Sequence, residues 1–345
     1  MKFKLNKRLF LKNFWEKKAI FIPKGINTFE DNFVFSDFFN YTIKNNLDSK
    51  VYIKEKNQYR QQLASRSISK NSAFAHLIFK TNHFHQLSYE LLNLITFIPD
   101  YLIDDVMISH SSLNGSVGKH QDNYSVFLIQ GKGSKEWRIY QDNTILKFMA
   151  HEGDVLYVPP NVFHYGISKS DICNTYSIGF RSPDTLSIQE DFNNFIFDML
   201  DSKKADFFKS NSFSNIKSLL SLDILKFFQN HLDYKSLIYS DFIGYYLTTV
   251  DVNLFSRRSM SKDKFTARCR ENPIFVDQRS RVCFYDNHFF INGEKINIDG
   301  QSKVMMKKFF NEKEIRFINT PSVNIEILHK LYLKGYLTFK RMFNF

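Results

Sequence analysis

The chain has 345 residues, 43% hydrophobic and 24% charged, a composition that excludes a disordered protein and a length that exceeds one ordinary core. Its formal net charge of +12 suits an acidic partner such as RNA or a ribonucleoprotein, and equally suits lysines spread over solvated faces. Three cysteines, Cys173, Cys269 and Cys283, form neither a CxxC pair nor an even framework, which excludes a disulfide scaffold and points to a reducing compartment.

Met1 to Phe14 is basic and carries charges through its apolar stretch, so it lacks the apolar region of a signal peptide. No run reaches the roughly 20 apolar residues that span a bilayer, and a cytoplasmic protein without a membrane partner is expected. Leu9 to Lys18 reads as an amphipathic helix, Ala19 to Pro23 as a strand, and Leu87 to Phe97 as apolar at helical spacing. From about 104 to 181 the texture changes to short β-rich runs: Val106–Ser109, Ser125–Gln130, Glu136–Tyr140, Val155–Val158 and Tyr176–Phe180. Turn signals separate them, at Asn114-Gly115, Gly131-Lys-Gly133, Gly153-Asp154 and Pro159-Pro160, and strands at this spacing predict a sandwich or jelly-roll barrel. Residues 183–262 return to helical periodicity, with Phe192, Phe195, Ile196 and Met199 on one stripe. A hairpin then follows, Val282–Tyr285 and Phe289–Ile291, with Asn292-Gly293 as a further turn signal. Helical stretches at Ser302–Asn311 and Val323–Lys334 and a β run at Tyr336–Phe339 complete a small module of winged-helix type.

The chemistry-bearing stretch is His120-Gln-Asp122, between the Ile108 and Val126 strands, with His164 after the turn that carries Pro159-Pro160. His-x-Asp followed about forty residues later by His has the form of a 2-His-1-carboxylate triad, which holds one face of an octahedral iron(II) and leaves the other positions open. Residues i and i+2 of an extended segment point the same way, so one strand edge can supply two ligands. His83 and His85 have no ligating partner nearby in sequence, and His76, His110, His151, His231, His288 and His329 are scattered. These eight read as structural or surface groups. With 38 phenylalanines in the chain, an aromatic cluster does not by itself mark a binding platform.

Asp105-Val-Met-Ile-Ser109, Val117-Gly-Lys-His-Gln-Asp122 and Val126-Phe-Leu-Ile-Gln-Gly131-Lys-Gly-Ser-Lys-Glu-Trp137-Arg138 together resemble the bacterial ribosomal oxygenases. These are JmjC-type 2-oxoglutarate oxygenases that hydroxylate an arginine of large-subunit ribosomal protein sixteen. Gly153–Pro160 with His164, Tyr176–Pro183, Asn13–Lys24 and Phe289–Ile296 extend the resemblance over most of the chain. It implies an α+β protein with a mainly β core: a JmjC double-stranded β-helix, or cupin-like jelly roll, over 1–182, a helical dimerisation region over 183–264, and a winged-helix-like domain over 265–345.

By the same resemblance, His120, Asp122 and His164 match the iron(II) ligands. Lys135 matches the basic residue that pairs with the distal carboxylate of 2-oxoglutarate, and Ser109 a hydroxyl that helps hold it. Lysine brings the charge without arginine's bidentate fork. The loop Asn114-Gly-Ser-Val-Gly-Lys119 and the short connection from Tyr140 to Glu152 differ from the family pattern where a substrate peptide would approach. The expected function is hydroxylation of a ribosomal-protein side chain by a homodimer, with direct nucleic-acid binding left open. The alternatives are a JmjC-type oxygenase acting on another protein, and a non-catalytic ribosome- or RNA-binding protein on the same scaffold.

Overall fold

The computed structural model describes residues 1–45, 47–56, 58–62, 72–181, 183–201, 238–285, 287–298, 300, 302–316, 325–341 and 343. The chain divides into two compact units, Met1–Ser182 with Met342–Phe345, and Pro183–Arg341.

The first unit is built on antiparallel β structure. Its strands are β1 (Lys2–Phe3), β2 (Ile20–Ile22), β3 (Ile26–Asn27), β4 (Ser49–Glu55), β5 (Gln58–Gln62), β6 (Phe74–Ile78) and β7 (Ile103–Ser111). They continue with β8 (Val126–Gln130), β9 (Ser134–Gln141), β10 (Thr144–His151), β11 (Val155–Val158), β12 (Phe163–Ser168) and β13 (Cys173–Phe180). Eight strands form one sheet in the order β2-β11-β8-β13-β7-β6-β4-β5, and β10-β9-β12 form a second. Sequence non-neighbours lie side by side in both, which is the winding of a double-stranded β-helix and bears out the predicted jelly roll.

Every residue of β8 is buried, because both faces of the large sheet are covered. Phe127 and Ile129 turn towards a core that includes Phe10 and Leu91 of the helices Lys7–Asn13 and Gln86–Asn93. Val126 and Leu128 turn the other way, towards Trp137 and Ile139 of the small sheet. Both helices are shorter than their apolar patterns predict. The first starts at an Asn6 cap, whose side chain accepts from Leu9 N–H at 3.1 Å. The second tightens at its end, where Leu94 N–H donates to the Leu91 carbonyl at 3.2 Å.

The short β1 and β3 escaped the sequence pattern in the amino-terminal hundred residues, as did β4, β5 and β6, which extend the large sheet beyond β7. The segment from Tyr140 to Glu152 is also more than a connection. It is a hairpin in which β10 pairs with β9 from Thr144↔Gln141 to His151↔Ser134. Asp142 and Asn143 turn it with φ of 51° and 58°, the left-handed conformations that a type I′ turn requires.

The second unit carries a three-stranded meander, Val282–Tyr285, His288–Ile291 and Glu294–Ile296. Asn292 and Gly293 make its second turn with φ of 50° and 79°; Asp286, in the first predicted turn, lies outside the described residues. Helices Lys303–Glu312 and Ile325–Leu333 sit where the periodicity places them, although Val323 lies outside the description. Phe265, Phe289, Phe309 and Leu328 are fully buried in this unit's core. Phe192 and Phe195 of the helix Thr185–Asp201 pack on Phe242 of the helix Ile238–Thr248; residues 202–237 of the predicted helical region are outside the description. Among the described residues no helix is long and apolar enough to cross a membrane.

On the helix-covered face of the large sheet, His76 and His110 are cross-strand partners. The Phe35 ring stacks on His110 at 4.1 Å and stands edge-on to His76, whose ring nitrogens have no hydrogen-bond partner among the described residues. Burial, reinforced by repulsion from His110, lowers the pKa of His76 from 6.5 to about 4, and burial does the same to His85. The folded protein therefore binds fewer protons than the unfolded chain between these values. Stability is lost as pH falls from 6.5 towards 4, by up to about 3 kcal/mol for each group. Thermal melts across this range should show a steep decline that is shallower in His76→Leu. Parallel curves for the two proteins would contradict the assignment.

Candidate metal centre

Between the two sheets lies a cavity of about 270 Å³, and the five residues selected from the sequence, Ser109, His120, Asp122, Lys135 and His164, all line it. Ser109 comes from β7, Lys135 from β9 and His164 from β12. His120 and Asp122 come from the segment between β7 and β8, which is less regular than the predicted strand edge. Only His120 is bridged, antiparallel to His164.

That bridge is doubly bonded: His120 N–H donates to the His164 carbonyl at 3.0 Å, and His164 N–H to the His120 carbonyl at 2.8 Å. It brings two residues 44 positions apart face to face, with ring centroids 4.2 Å apart. Each ring is then oriented by its own backbone. Nδ1 of His120 donates to the Gly118 carbonyl at 3.1 Å, and Nδ1 of His164 to the Val162 carbonyl at 3.0 Å. A carbonyl only accepts, so both protons sit on Nδ1 and both Nε2 lone pairs are free for a metal. Asp122 is fixed through its own carbonyl, which accepts from Asn161 N–H at 2.7 Å. Its Oδ2 lies 4.0 Å from His120 Nε2 and 3.7 Å from His164 Nε2.

The three ligand atoms lie within 4.8 Å of one another, so one ion could touch all three. Two imidazoles and one carboxylate suit a first-row divalent metal, with the cavity side left open for other ligands. The side chain of His164 is only 3% exposed, that of Asp122 24% and that of His120 38%, which leaves solvent access on the His120 side. Burial, and then the neighbouring His120, lower the pKa of His164, which favours the neutral ring that ligates.

Lys135 is 4% exposed, and burial lowers its pKa. No carboxylate pairs with it among the described residues; its Nζ lies 5.4 Å from the centroid of the Trp137 ring. An ammonium in such a place is costly unless an anion arrives. Ser109 Oγ lies on the same cavity wall, 3.5 Å from Ser111 Oγ. Gly166 pairs with Trp137 across the β12–β9 ladder, and a Cβ at Gly166 would meet the indole at 2.6 Å. The absent side chain lets Trp137 lie flat beside the two-histidine centre. A metal-binding triad with a buried cation in the same cavity fits a small chelating dicarboxylate.

Sequence reading missed Lys50 and Tyr52 of β4, Tyr124, and Thr175 of β13, all of which line the cavity. The alternation of Ser49–Glu55 was the available signal for β4. His76, His85 and His110 are buried outside the cavity, as structural histidines should be, and His231 lies outside the described residues.

Two wound sheets enclosing a two-histidine, one-carboxylate cluster define a double-stranded β-helix with a candidate metal centre. Residues 90–147 and 141–188 match the family described as "JmjC domain". Ribosomal protein uL16 3-hydroxylase of Escherichia coli (strain K12) is 28% identical over 208 residues, 54% of this chain and 56% of that protein. The "Probable ribosomal oxygenase" of Haemophilus influenzae is 27% identical over 200 residues, 51% of this chain and 49% of that protein. The chain thus spans about half the length of the curated relatives it matches. The structure of YcfD, a ribosomal oxygenase from Escherichia coli, superposes with a TM-score of 0.82 at 21% identity, over 98% of this chain and 99% of that one. The same protein in complex with cobalt and 2-oxoglutarate gives 0.83 over the same shares. The match to the JmjC domain covers residues 90–188, and the chain has the fold of YcfD.

Because its burial is uncompensated in the ligand-free protein, Lys135→Met should stabilise that protein by on the order of 1–3 kcal/mol. Chemical denaturation of both forms without metal or ligand checks this, and a destabilised variant would mean that the ammonium has a partner.

Proposed function

We propose that the chain is an iron(II)- and 2-oxoglutarate-dependent protein hydroxylase, with His120, Asp122 and His164 as metal ligands and Lys135 and Ser109 as the anchor for the distal carboxylate. One observation carries this reading: the triad and an unpaired, buried ammonium share one cavity. Iron(II) with 2-oxoglutarate would supply the oxidising chemistry, in which dioxygen, 2-oxoglutarate and a C–H bond become succinate, carbon dioxide and a C–OH group. The chain's own contributions are positional and electrostatic. The Nδ1–H bonds keep both imidazoles in the ligating tautomer, and the bridge sets their separation. Lys135 neutralises the co-substrate's far end, and Leu128, Trp137 and Val126 keep that side of the cavity apolar.

The substrate we infer is a side chain of a large-subunit ribosomal protein, arginine of protein sixteen (uL16), which the named relatives support. The second reading, another protein substrate, is favoured by the β9–β10 hairpin and the Lys119 loop, which change the surface beside the centre. We further infer that 183–264 is a dimerisation region followed by a winged-helix-like domain over 265–345. Leu186, 76% exposed on the helix Thr185–Asp201, supports an unfilled helical interface, and light scattering at micromolar concentration tests it by mass.

The deciding experiment is whole-protein mass spectrometry of large-subunit ribosomal proteins treated with enzyme, iron(II), ascorbate and 2-oxoglutarate. The expected result is a gain of one oxygen on uL16. Asp122→Ala should lower turnover by more than about 100-fold, and Lys135→Met should lose 2-oxoglutarate binding while Lys135→Arg retains it. Consumption of 2-oxoglutarate with every ribosomal protein unchanged would keep the chemistry and reject the substrate. Wild-type turnover in Asp122→Ala would reject the centre itself.

A further inference from the structure

His120 is the more exposed of the two histidines and is held by a single bridge rather than a ladder, yet a useful ligand must not wander. The residue before it supplies a second restraint. Lys119 Nζ lies 3.8 Å from the centroid of Tyr140 and 5.1 Å from that of Phe163. These two rings are cross-strand partners on β9 and β12, and Phe163 immediately precedes His164. The ammonium therefore ties the strand of one histidine to the chain of the other, on the outer side of the small sheet, away from the cavity. The far end of the same loop is tied as well: Tyr59 Oη donates to the Asn114 carbonyl at 2.8 Å.

We propose that Lys119 is a positioning residue for the metal centre, acting as a cation–π latch that fixes His120 against His164. The inference rests on the metal-centre reading above. An ammonium over an aromatic face is attracted by the ring's negative quadrupole, most strongly with both partners already held in place. Here both rings are fixed by the β9–β12 ladder, so closing the latch orders only the lysine side chain and the loop behind it. Guanidinium can make the same contact by stacking; an uncharged amide cannot.

Charge alone predicts the opposite outcome. A lysine near a divalent ion repels it, so neutralising that lysine should tighten metal binding. The direction of the effect therefore separates latch from simple electrostatics.

The test is titration of the full-length protein with Co(II), followed by its visible d–d absorption, for wild type, Lys119→Gln and Lys119→Arg, alongside melting of the metal-free proteins. The latch predicts Co(II) binding weakened roughly three- to fivefold in the Gln variant, near-wild-type binding in the Arg variant, and unchanged metal-free melting temperatures. Binding by the Gln variant as tight as wild type or tighter overturns the proposal. So does an Arg variant as weak as the Gln variant, or weaker binding accompanied by a lowered metal-free melting temperature. If wild type itself fails to bind Co(II), the metal-centre reading falls, and the latch with it.

Discussion

The architecture of the site depends on one pair of backbone hydrogen bonds, those between His120 and His164. Side chains this far apart in sequence can share an ion only if their Cα positions are fixed to within a fraction of an ångström, and rotamer preferences alone do not achieve that. The β12–β9 ladder fixes His164, the bridge transfers that register to His120, and Asp122 follows two residues later. Because the bridge is short, the segment before it has to be held by other means, which gives side chains such as Tyr59 an importance that ordinary loop residues lack.

A second constraint is the burial of Lys135. The large and small sheets could have packed their inner faces together completely, as Leu156, Val158 and Ile139 do at one end. Instead, a charged group and several hydroxyls occupy the inner wall, and the cavity stays open around them. A lone buried ammonium opposes folding, so its presence beside a ligand triad marks where stability yields to binding. This is the usual relation between active sites and the folds that carry them.

The triad was legible in the sequence because its signal is local: a two-residue spacing, a turn with two prolines, and β-rich runs on either side. Lys135 was not legible from its own residue type, since a lysine at the start of a strand is ordinarily solvated; only the resemblance singled it out. The strands β4, β5 and β6 were hidden for a different reason. Ser49–Glu55 and Gln58–Gln62 are rich in Lys, Gln and Tyr, because Lys50 and Tyr52 of β4 face the cavity and β5 at the sheet edge is largely exposed. Apolar periodicity, the main sequence signal, therefore fades. The β9–β10 hairpin was hidden by its turn, where Asp142-Asn143 replaces the stronger Asn-Gly signal, and by a strand whose two faces are both largely exposed.

The histidines illustrate why residue identity underdetermines chemistry. His76 is fully buried, with both nitrogens lacking a described partner, and by composition alone it would be as good a metal ligand as His164. What separates them is the other side of the ring. His76 packs edge-on against Phe35 and Phe39, lies outside the cavity lining and has no carboxylate grouped with it among the described residues. His164 has a backbone carbonyl at Nδ1 and an open cavity with a carboxylate at Nε2. Burial lowers the pKa of both; for the first this is a penalty expressed as acid sensitivity, and for the second it favours the ring form that could ligate a metal. The two sheets thus use one residue type in two ways, and what each ring faces decides which.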